Sequence, residues 1–132
     1  MVKVLIPGIN LRQTKIVTFG DTAAEYGSGF LEIFATPALI AFMEHTALLL
    51  VQPYLESGFG TVGTTINISH LKGTPVGANV ECVATLIKID GNSLTFNIVV
   101  TDETGKVGEG THSRFIIDEE RFMKKFKKQD KQ

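Results

Sequence analysis

The sequence predicts an α+β fold in which one long central helix is wrapped by a curved antiparallel sheet. Three observations predict it. The stretch FATPALIAFMEHTALLLVQPYL (34–55) is too long and too apolar for a strand. At least four segments of strand-like alternation follow it, separated by turn residues. The helix is apolar over most of its circumference, as a helix must be when a sheet curls around it.

In chain order, TKIVTFG (14–20) alternates weakly and reads as a first strand. Residues 21–33 read as loop, with Gly27 and Gly29 as the breakers. Thr36 before Pro37 is a helix start: a hydroxyl accepts from the first free N–H groups, and proline suits the first helical position. ESGFG (56–60) supplies the stop, with Gly58 as the expected C-terminal cap. The strand TVGTTINISHL (61–71) then places Val62, Thr64, Ile66, Ile68 and His70 on one face by strict alternation. GTPVGA (73–78) is a loop, and NVECVATLIKI and LTFNIVVTD flank a DGNS hairpin turn. A second turn at DETGK (102–106) leads into VGEGTHSRFII (107–117), where Gly108 and Gly110 suggest a bulge or a close backbone approach.

The 132 residues suit one domain over 1–132 with a basic C-terminal tail from about 119 to 132. That tail, RFMKKFKKQDKQ at its end, holds six of the thirteen basic residues; the net charge of −1 argues against a nucleic-acid partner. No apolar run is long enough to span a membrane. The opening MVKVLIPGIN is broken too early by Pro7 and Gly8 for a secretion signal, and Cys82 has no partner for an internal disulfide. The cytoplasm is therefore the expected compartment. His, Cys and Glu spacings fit no metal motif, so neither metal nor cofactor is expected.

The helix carries two ionisable residues. Ile40, Leu48, Val51 and Leu55 fall within about 40° of Glu44 on the helical wheel, whereas Gln52 and Glu56 flank His45. His45 thus belongs to a solvated stripe. Glu44 is expected to be buried, and a carboxyl group taken out of water suits acid–base work near neutral pH. His70 ends a core-directed strand face, and His112 reads as structural.

The segments FATPALIAFME (34–44), PYLESGFGTVGTTINISH (53–70), TPVGANV (74–80) and GEGTHSRFIID (108–118) together resemble the single-hotdog acyl-CoA thioesterases, and among them the fluoroacetyl-CoA thioesterase-like group. The resemblance implies a hotdog fold, a homodimer with sites at its interface, and hydrolysis of a short acyl-CoA, with coenzyme A as part of the substrate. It implies Thr36, Glu44 and His70 as catalytic residues, the backbone of Gly63 near the thioester, and Arg114 as a basic substrate-binding residue. Eight residues of regular helix put Thr36 and Glu44 about 12 Å apart along the axis. The helix then starts later, His70 bridges the two, or the working set spans two subunits. A non-catalytic acyl-CoA or small-ligand binder on the same fold is the rival expectation. A hotdog hydratase is disfavoured, because the helix lacks a convincing acid–histidine pair.

Overall fold

The computed structural model describes residues 4–129. Strand β1 (Asn10–Ile16) leads through a 3-10 turn (Phe19–Asp21) into a short helix α1 (Ala23–Tyr26) and the long helix α2 (Thr36–Val51). Strands β2 (Phe59–His70), β3 (Asn79–Asp90), β4 (Ser93–Asp102) and β5 (Gly105–Asp118) follow, and helix α3 (Glu119–Gln129) closes the chain. The five strands form one antiparallel sheet in the order β1-β3-β4-β5-β2, so β1 and β2 are its edges.

The core lies between α2 and the sheet. Ala38, Leu39, Phe42, Met43, Ala47, Leu50 and Val51 point from the helix onto Val80, Cys82, Ala84 and Leu86 of β3 and Leu94, Phe96, Ile98 and Val100 of β4. Period-two alternation along β3 and β4 meets the i, i+3, i+4 stripe of the helix, and both faces leave water on contact. Gly108 is where the helix rests on bare sheet: a Cβ there would lie 2.9 Å from Leu39 Cδ2 and 3.0 Å from the Ser69 carbonyl.

Four boundaries depart from expectation. The first strand runs over Asn10–Ile16, not 14–20, because the chain turns at Phe19–Asp21, where Asp21 caps the Thr18 backbone at 2.8 Å. The expected loop over 21–33 contains α1, capped by Thr22 and ended by Gly27 in the left-handed region. Helix α2 stops at Val51, since Pro53 cannot continue it, and a 3-10 turn (Gln52–Tyr54) intervenes; Gly58, at φ 88°, serves the turn before β2 instead. The tail beyond 119 is helical through Gln129, with Phe122 edge-on to Phe126; residues 130–132 lie outside the described residues.

The fifth difference decides the site. Gly63 of β2 pairs with Arg114 of β5, but the next pair is Thr65 with Ser113, so Thr64 is an extra, bulged residue. Strict alternation fails there. Val62 opposes the half-exposed Phe115, while Gly63, Ile66 and Ile68 share the helix-facing side with Arg114, His112 and Gly110, and His70 follows in phase.

Candidate active site

Thr36 is the first residue of α2, not its N-cap: Ala35 holds that position and no side chain caps the helix. The Thr36 hydroxyl instead meets His70 Nδ1 at 2.7 Å. The first N–H groups of α2 thus keep their hydrogen-bonding capacity at the positive end of the helix dipole. His70, the last residue of β2, is half-buried, and its Nε2 is buried without a hydrogen bond. Burial pulls the pKa of its imidazole below the ordinary value, against a weaker opposite push from the Lys72 backbone, so the neutral ring is favoured. A cavity of about 480 Å³ opens over this pair, with Phe30, Leu31 and Leu71 exposed around it.

Glu44 stands elsewhere. It is half-exposed rather than buried, because its stripe of α2 faces the edge of the sheet where Gly63 offers no side chain to cover it. A Cβ on residue 63 would lie 3.0 Å from Glu44 Oε2, 3.3 Å from His112 Cε1 and 3.5 Å from Arg114 Nη1, so three polar groups converge on that vacant point. The bulge exposes the backbone around Gly63, Thr64 and Thr65 beside a second cavity of about 210 Å³.

Arg114 and His112 form a closed network behind that point. Arg114 donates through Nε to the Thr61 hydroxyl at 2.7 Å and through Nη2 to the Thr61 carbonyl at 3.0 Å. Its Nη1 donates to His112 Nε2 at 3.2 Å. His112 Nδ1 contacts the Thr65 carbonyl at 2.7 Å, and a carbonyl only accepts, so Nδ1 carries the proton and Nε2 is bare. Burial lowers the pKa of His112; the Thr65 bond and Glu44 oppose that shift while Arg114 adds to it. Burial lowers that of Arg114 too, opposed by the charge of Glu44. Both side chains are nearly fully covered.

The five expected site residues therefore fall into two clusters. Thr36 and His70 touch; Glu44, Gly63 and Arg114 gather; no side-chain contact among the described residues joins the two clusters. His70 does not bridge Thr36 to Glu44, because it lies beside the start of α2 and Glu44 lies two turns further on. His112 was read as structural and belongs to the second cluster. Its signal is the His-Ser-Arg spacing, which puts residues 112 and 114 on one strand face. Phe30 and Leu31 at the cavity rim carry no pattern that marks them. His45 is exposed, as expected. Cys82 is no rival nucleophile: burial pushes its thiol up to about 11, against a smaller effect of the Thr46 hydroxyl.

A long helix cradled by a five-stranded antiparallel sheet is the hotdog fold, and similarity to known proteins makes the chain an acyl-CoA thioesterase of that fold. Residues 17–120 match the profile of FlK, the fluoroacetyl-CoA-specific thioesterases, and the chain belongs to that family. It is 36% identical over 96 residues to the fluoroacetyl-CoA thioesterase of Streptantibioticus cattleyicolor, covering 73% of this chain and 69% of that one. A solved structure of the fluoroacetyl-CoA thioesterase FlK superposes with a TM-score of 0.90 at 30% identity, over 96% of this chain and 98% of that one. A mutant of the same enzyme, crystallised with fluoroacetate and CoA, superposes with a TM-score of 0.85 at 29% identity, over 89% and 99%.

Proposed function

We propose that the protein hydrolyses short-chain acyl-CoA thioesters with Thr36 as nucleophile and His70 as its base. The 2.7 Å contact between the Thr36 hydroxyl and His70 Nδ1 is the observation that carries this reading. With the ring neutral and its proton on Nε2, the hydroxyl donates to Nδ1. As the oxygen attacks the thioester carbonyl, its proton passes to Nδ1. The C–S bond then breaks and the thiolate of CoA takes that proton. Water, activated by the same nitrogen, releases the acid and restores the hydroxyl. The uncapped N–H groups of α2 supply donors for the oxyanion. The cavity of about 210 Å³ beside Gly63 is less than half the volume of the one of about 480 Å³ over Thr36 and His70, which supports a small acyl group. No resident cofactor enters these steps, and cytoplasmic coenzyme A thioesters are the substrate pool.

A homodimer would unite the clusters. Gly63 and His70 lie seven residues apart on the edge strand β2, about 23 Å along it. Pairing two β2 edges antiparallel, with the two-fold axis midway between those positions, sets Gly63 and Glu44 of one copy against Thr36 and His70 of the other. Thiol release across a panel of acyl-CoAs, with Thr36→Ala and His70→Ala beside the native chain, tests the chemistry; sedimentation tests the dimer. Binding without turnover would leave a carrier rather than an enzyme. Acyl-Thr36 captured by mass spectrometry after a rapid quench is the expected intermediate; its absence would mean direct attack by water.

A further inference from the structure

Asp102, the last residue of β4, takes no part in these steps. It is nevertheless the most heavily hydrogen-bonded carboxylate among the described residues, with its side chain 4% exposed. Oδ1 accepts from the Thr104 backbone N–H at 2.8 Å and the Thr104 hydroxyl at 2.9 Å, which closes the β4–β5 turn. Oδ2 accepts from the Thr74 hydroxyl at 3.0 Å and from the Lys72 ammonium, its ion-pair partner.

Those two donors come from the segment that leaves His70. Lys72 is two residues beyond the imidazole, and the intervening Leu71 N–H is bonded to the Val107 carbonyl at 2.7 Å. Thr74 is fully buried, and its carbonyl accepts from the Phe34 N–H at 2.8 Å, two residues before Thr36. A bridge between Ile33 and Pro75 runs alongside. A single carboxylate thus grips the chain just after the base and, through Thr74, the chain just before the nucleophile. Lys72 and Gly73 also line the cavity over the pair.

We infer that Asp102 is a positioning residue for the Thr36–His70 pair, holding the segments on either side of the 2.7 Å contact in one frame. The inference rests on that pair being the reacting groups. A hydroxyl and an imidazole brought together from sites 34 residues apart have no local structure to align them. Misplacement by about 1 Å costs on the order of 100-fold in rate.

The test uses Asp102→Asn, with Thr74→Val and Thr74→Ser, each read for kcat, KM, thermal unfolding and the imidazole NMR signals of the three histidines. Asp102→Asn is expected to lower kcat by about 10- to 100-fold while KM moves about twofold or less. The His70 ring signals should shift and those of His112, in the other cluster, should stay. Thr74→Val should follow in the same direction, and Thr74→Ser, which restores the hydroxyl, should recover most of the rate. If Asp102→Asn does not fold, Thr74→Val carries the test, since it removes one hydroxyl and leaves Lys72 and Thr104 in place. A lower melting temperature with kcat and the His70 signals unchanged makes Asp102 a purely structural clamp and overturns the inference. Displaced His70 signals alongside full activity of Thr36→Ala would instead sink the catalytic assignment and leave the positioning role standing.

Discussion

The two polar clusters are built on opposite principles. Around Arg114 and His112, three guanidinium nitrogens and both imidazole nitrogens have a partner, and both side chains are buried. Around Thr36 and His70 a single hydrogen bond joins two half-exposed elements, and Nε2 is left without a hydrogen-bond partner. A group each of whose nitrogens has a partner resists rearrangement, and moving it strands its partners. A group with unspent capacity can exchange protons with a substrate at little structural cost. On the proposed mechanism the first cluster is wall and electrostatic frame, and the second is where bonds would change.

The largest effect that would break this contrast is at His70. His70→Ala should lower kcat by about 10²–10⁴-fold with little change in melting temperature. An intact kcat with a lowered melting temperature would make the imidazole part of the wall. Glu44→Gln keeps shape and removes a carboxylate that the dimer would set against the Thr36–His70 pair as a second proton acceptor, and kcat should fall by about 10²-fold in a folded protein. Mixing inactive His70→Ala with inactive Glu44→Gln sharpens the point. If the site spans two subunits, exchange restores one intact site in half of the dimers, about a quarter of native activity. No recovery would confine the site to one chain.

Smaller effects should fall on stability. Arg114→Met strands His112 Nε2 and the two acceptors of Thr61, at about 1–3 kcal/mol for each buried group left unmet. Denaturant unfolding measures this, and a loss below about 0.5 kcal/mol would mean that the network is not a frame. The pH profile of melting separates the groups further. His70 and His112 are held below the ordinary 6.5, so the unfolded chain binds protons first and stability falls as pH drops through that value. Asp102 is held far below the ordinary 3.8 by Lys72, Thr104 and Thr74, although burial alone would raise it. Its contribution is present above that value and lost only in stronger acid. His112→Gln should shrink the first step and spare the second. A flat melting profile between pH 7 and pH 5 would contradict the burial of both imidazoles.

Much of this was legible in the sequence where the reasons are local. The long helix beginning at Thr36, though not its end at Val51, the hairpin at Asp90–Ser93 and the close approach at Gly108 and Gly110 follow from spacing and turn chemistry. His70 was correctly placed on the helix-facing side of its strand. What failed depends on register between distant segments. The bulge at Thr64 leaves no trace in alternation, so Val62 was put on the inner face and Gly63 was not. Glu44 was expected to be buried because its helical neighbours are apolar, but its exposure is set by the missing side chain of a glycine on another element. Thr36 had a sufficient local explanation as a cap, and only the fold shows the hydroxyl turned towards an imidazole 34 residues away.

Gly108 and Gly110 differ in how far mutation can reach them. At Gly108 one obstacle is the tip of Leu39, so alanine there is strained in the present chain and less strained beside a smaller residue at 39. At Gly110 the obstacles are the Asn67 carbonyl and Ile68 Cα, at 2.6 Å, together with the Ile68 side chain. No exchange of side chains moves a backbone out of the way. Over evolutionary time the first glycine can be lost through a paired change on α2 together with a shift of a few tenths of an ångström at the Ser69 carbonyl, whereas the second can be lost only if β2 and β5 themselves separate, which would move the strand that ends in His70.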